Sequence, residues 1–86
     1  METRYSRPRN GTIDGEAVVF RIKGTFNGKN MCGAEGVVDK PSEIHARLAG
    51  ATARLVDGLT KNEYAIFVTP ERFSFMDGYA NVDVLV

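Results

Sequence analysis

Residues 41–61, PSEIHARLAGATARLVDGLTK, hold the chain's clearest helical period, and the architecture expected of the chain turns on them. Ile44, Leu48, Ala51, Leu55 and Leu59 recur at spacings of four, three, four and four. At 3.6 residues per turn these positions gather into one stripe able to face a sheet. Glu43, Arg47, Arg54, Asp57 and Lys61 fall on the opposite, solvated side. There Glu43 with Arg47 and Asp57 with Lys61 stand in the favourable acid-first i,i+4 order, each pair contributing about 0.2–0.5 kcal/mol. Upstream, Asp39-Lys40-Pro41-Ser42-Glu43 has the form of a helix entrance, with a cap, a proline in the first turn and acids near the positive end of the dipole. The expectation is a single helix reaching about Thr60. Gly58 would cap it, and Gly50 inside it would cost roughly 1 kcal/mol relative to alanine.

On either side of this segment the period changes to two. From Glu16 to Phe26, Val18, Phe20, Ile22 and Phe26 alternate with Val19, Arg21, Lys23 and Thr25, the pattern of a half-buried strand. Asn27-Gly28 follows at once, and a dipeptide that tolerates positive φ at this point marks a hairpin. The returning segment, Lys29 to Val38, contains Gly33 and Gly36, residues that often mark a bulge or a close approach of another group. After the helical stretch, Glu63–Thr69 (EYAIFVT) is β-branched and aromatic, and Pro70 ends it. Arg72–Met76 alternates Phe73 and Phe75 around Ser74. Asp77-Gly78 is a second turn signal, and Tyr79–Val86 alternates again as a closing strand.

The fold class expected is therefore α+β in ββαββ order: a four- to five-stranded, mostly antiparallel sheet with one helix packed on one face. Residues 1–11 (METRYSRPRNG) carry three arginines and one large apolar group, Tyr5, and are expected to form a flexible basic arm. Residues 12–86 are expected to form one domain, since 86 residues support one modest core.

Composition narrows the function. Eleven basic and eleven acidic residues give a formal net charge of zero, so the chain as a whole does not attract nucleic acid or anionic lipid. The longest apolar runs fall far short of the ~20 residues a spanning helix needs, so no membrane insertion is expected. A lone cysteine, Cys32, and a polar N-terminus without a signal-like apolar stretch point to the reducing cytoplasm.

No catalytic, cofactor or metal constellation is legible. One His and one Cys without ligand spacing do not make a zinc site. His45 reads as a partly exposed residue of the first helical turn. Cys32 reads as a small buried hydrophobe, although a two-residue turn would set Lys23 across from it and mildly activate its thiol. The glycine-rich stretches match no phosphate loop.

The most informative cluster is basic: Arg4, Tyr5, Arg7 and Arg9 on the arm, with Arg21 and Lys23 on the polar face of the first strand. Guanidinium groups suit phosphate or carboxylate recognition, and an adjacent aromatic can stack on a base. A second feature is the small-residue flank Ala46, Ala49, Gly50 and Ala53, which on a helix would admit a second backbone, while open sheet edges would also invite pairing. These features point to a non-enzymatic protein-interaction module that forms a homodimer, of the accessory or inhibitory kind encoded by phages and mobile elements. The alternative is a nucleic-acid binder using the basic arm and the Arg21/Lys23 face.

Overall fold

The computed structural model describes residues 2–40 and 43–76. Their elements in chain order are β1 (Glu2–Tyr5), β2 (Arg9–Ile13), β3 (Glu16–Asn27), β4 (Asn30–Val38), α1 (Glu43–Leu48), β5 (Thr52–Asp57), β6 (Glu63–Thr69) and β7 (Arg72–Phe75). Each pairing is antiparallel, and strands β2, β3, β4, β7, β6 and β5 follow one another around a closed circuit, because β5 returns to pair with β2. The molecule is thus a six-stranded antiparallel β-barrel with one short helix. It is not the α+β open sheet expected from the sequence.

The difference lies in residues 43–57, where one long helix was expected. The helix stops at Leu48, and Gly50 adopts φ +87°, a left-handed conformation that ends it. The Gly50 amide donates to the Val68 carbonyl at 2.7 Å, and the Val68 amide donates to Ala51 at 2.9 Å, so the turn is already docked on β6. Residues 52–57 then form β5, with Ala53, Leu55 and Asp57 facing inward and Thr52, Arg54 and Val56 less buried. Leu55 and Ala51 satisfy a helical and an alternating period equally well. The non-local ladders Gly11↔Asp57 through Ile13↔Leu55 on one side and Thr52↔Phe67 through Val56↔Glu63 on the other resolve the tie toward strand.

The N-terminal residues do not stand off as an arm: they supply β1 and β2. Both lie along β3, whose twelve residues pair with β2 in their first half and with β1 in their second. The kink between them is held by Ser6, whose amide donates to the Ile22 carbonyl and whose hydroxyl accepts the Ile22 amide, both at 2.8 Å. The hairpin between β3 and β4 turns through Gly28 and Lys29, with Asn27 and Asn30 as the closing pair. One residue of β4, Cys32, is left over between Met31↔Phe26 and Gly33↔Thr25, a bulge beside the glycine that signalled it. The expected strand over Tyr79–Val86 and the Asp77-Gly78 turn lie outside the described residues, as does the Ile44 side chain.

The core is built from alternate residues of the barrel strands: Ile13, Phe20, Ile22, Val38, Leu55, Ile66, Val68 and Phe73. Burying each large apolar side chain contributes about 1.5–3 kcal/mol. Phe20 and Phe73 meet edge to face at 5.9 Å, and Phe73 repeats the arrangement with Phe75 at 5.6 Å. Gly36 makes room for this stack, because a Cβ at that position would overlap the Phe73 ring. No helix among the described residues is long and apolar enough to cross a membrane.

Candidate functional site

Six residues were singled out for partner or nucleic-acid contact, and the fold divides them. Arg9 goes inside. Its guanidinium donates to the Asp57 carboxylate at 2.9 Å, with 7% and 2% of the two side chains exposed. Asp57 also accepts the Leu59 amide at 2.9 Å. Asp57, expected on a solvated helix face beside Lys61, is an inward residue of β5 because its alternation follows Leu55. This ion pair ties β2 to β5 where the barrel closes, so Arg9 is not available to a ligand.

Arg4 lies on exposed β1. It donates to Glu2 at 2.7 Å and covers the Phe26 ring at 4.8 Å. The hydrogen bond from Arg4, and then its charge, hold the Glu2 carboxyl below the usual carboxylate range, and Glu2 in turn raises the Arg4 guanidinium. Arg7 is exposed in the kink between β1 and β2.

Tyr5, Arg21 and Lys23 do come together. Tyr5 pairs with Lys23 in the β1–β3 ladder, so both side chains stand on the outer face, and Arg21 lies over the Tyr5 ring at 5.3 Å. Acidic groups interleave with them, which the sequence reading did not anticipate. Arg21 bonds Asp39 at 2.8 Å. Glu35, the β4 partner of Lys23, lies 3.6 Å from its ammonium and 2.8 Å from the Arg72 guanidinium. The sequence pattern places Asp39 at a helix entrance, whereas here it pairs with Arg21. The missed signal was cross-strand: Glu35 of β4 is opposite Lys23 of β3 and opposite Ser74 of β7, positions that no local pattern links. The outer face of β1, β3, β4 and β7 thus carries one aromatic ring and five charges of both signs, all partly exposed. Next to it, Val19, Ala17 and Asn10 form part of the wall of an open groove of about 550 Å³ that ends at Asp39 and Lys40.

The small-residue flank dissolves with the long helix. Ala46 is exposed on α1, Ala49 and Gly50 are in the following turn, and Ala53 packs against the core from β5. His45, expected partly exposed, is 2% exposed and donates from Nε2 to the Thr69 carbonyl at 2.8 Å, pinning α1 to the end of β6. Cys32, expected buried, is exposed at the bulge, where its thiol donates to the Thr25 carbonyl at 3.5 Å. Lys23 faces Glu35 rather than this thiol. Among the described residues no three His, Cys, Asp or Glu side chains converge as metal ligands.

No protein-family model, curated protein or solved structure matches this chain.

Proposed function

We propose that this chain is a non-enzymatic protein-interaction module that recognises a partner protein through the outer face of β1, β3, β4 and β7. One observation carries the reading: Tyr5, Arg21 and Lys23 share a face on which Asp39, Glu35 and Arg72 alternate with them in charge. A phosphate backbone offers one sign of charge only, and would have to displace a carboxylate from each of these cations. A protein surface offers both signs together with apolar contacts, and Tyr and Arg are the side chains that most often anchor such interfaces. The accessory or inhibitory role common among small phage and mobile-element proteins fits a chain that acts by occupying a partner. The exposed Cys32 thiol suits a reducing cytoplasm.

The test is recovery of the tagged protein from its own host beside the variants Tyr5→Ala and Arg21→Glu/Lys23→Glu. A specific protein retained by the parent chain and lost from both variants, with their unfolding unchanged, is the expected result. A partner retained equally by the variants removes the face from consideration. Co-purified RNA or DNA that disappears with the charge reversals replaces the proposal with nucleic-acid binding.

A further inference from the structure

Closing the barrel uses both sides of β2, β5, β6 and β7, but it leaves β1 on the outside. Among the described residues β1 pairs with β3 alone, and all four of its residues are exposed. Its outer side presents backbone donors and acceptors in the extended conformation that a further strand can join. We propose that two copies of this chain associate edge to edge through β1, antiparallel, with Glu2 of each copy opposite Arg4 of the other.

The sequence of the strand selects that register. In Glu2-Thr3-Arg4-Tyr5 the two charges are opposite in sign and two residues apart, so they stand on the same face of the strand. A two-fold axis through Thr3 sets Glu2 against Arg4, Thr3 against Thr3 and Arg4 against Glu2. Within each strand Glu2 and Arg4 already touch at 2.7 Å, so the four side chains close into a ring of alternating charge. The opposed threonines are also a favourable cross-strand pair. A slip of two residues in one direction opposes Glu2 to Glu2, and in the other opposes Arg4 to Arg4. A slip of one residue separates the charges altogether. A parallel arrangement sets like against like. Charges on an edge commonly repel other chains, but this arrangement favours one register, opposes like charges in the two-residue slips and the parallel pairing, and leaves the one-residue slips without a charge pair. The association rests on β1 and is independent of the outer-face proposal above.

Four residues per strand make a small interface of the weak, concentration-dependent class, so sedimentation velocity of the full chain from about 10 μM to about 1 mM is the measurement. The parent chain should pass from monomer toward twice its mass across that range. Arg4→Glu opposes two acids in each cross-strand pair, and Glu2→Arg opposes two bases. Each variant alone should stay monomeric, with association weakened at least tenfold. Mixed in equal amounts they should form a heterodimer, because every cross-strand pair is again complementary, and the exchange variant Glu2→Arg/Arg4→Glu should dimerise like the parent. Arg54→Glu, on β5, which pairs with β2 and β6 and not with β1, should leave dimerisation unchanged. A parent chain monomeric throughout, single variants that dimerise like the parent, or a mixture that stays monomeric would each overturn the proposal.

Discussion

The molecule uses ion pairs in two different ways at its two sides. Where β2 meets β5, Arg9 and Asp57 are almost fully enclosed and hold together strands 48 residues apart in sequence. Along β1, β3, β4 and β7, the pairs Arg4–Glu2, Arg21–Asp39, Lys23–Glu35 and Arg72–Glu35 are open to water. A buried pair is costly to break because removing one partner strands the other charge in a poor solvent. An exposed pair can exchange its partner for solvent or for another protein at little cost. The enclosed pair therefore belongs to closure of the barrel, and the open ones belong to a surface that can be read.

The difference is sharpest in Asp57→Ala, which leaves Arg9 buried without its carboxylate. A loss of about 3–5 kcal/mol is expected, a large share of the ~5–15 kcal/mol available to a small domain. The urea midpoint should fall steeply or cooperative unfolding should vanish. A midpoint like that of the parent would mean that closure does not depend on the pair.

Next in size is Gly36→Ala, which adds a methyl group where the Phe73 ring already sits. Overpacking of this kind costs about 1–3 kcal/mol, because the ring must leave its contacts with Phe20 and Phe75. Combined with Phe73→Leu the two losses should be clearly less than additive in thermal unfolding, since the clash is with that ring. Strict additivity would place the strain elsewhere. Smallest is Glu35→Gln on the open side, where the three side chains of the Lys23–Glu35–Arg72 cluster are about a quarter to a half exposed. Its effect on the denaturant midpoint should correspond to less than about 1 kcal/mol and shrink further with added salt. A loss as large as that of Asp57→Ala would erase the distinction between the two sides.

Several strands were legible locally because their information is local. Glu16–Asn27 alternates cleanly, Gly28 with its φ of +64° permits the turn, and Glu63–Thr69 is too short and too β-branched for a helix. Gly33 and Gly36 marked, in turn, a bulge and a ring-sized gap. The candidate site was half legible: Tyr5, Arg21 and Lys23 were named from a strand pattern and a basic cluster. Their acidic neighbours, and the removal of Arg9 to the interior, depend on contacts between residues far apart in the chain.

Residues 43–57 mark the boundary between the two kinds of information. Local sequence is enough to show where the chain can turn, which face of β3 is apolar, and that charges of both signs are balanced. It left Ala51 and Leu55 compatible with a helix and with a strand, because intrinsic propensities differ by less than about 1 kcal/mol per residue. Tertiary structure decided the question: β2 and β6 offer backbone partners on both sides of residues 52–57, and Leu55 becomes fully buried between them. The same placement turns Asp57 inward to Arg9, and so converts a segment that looked like a basic arm into one wall of a closed barrel.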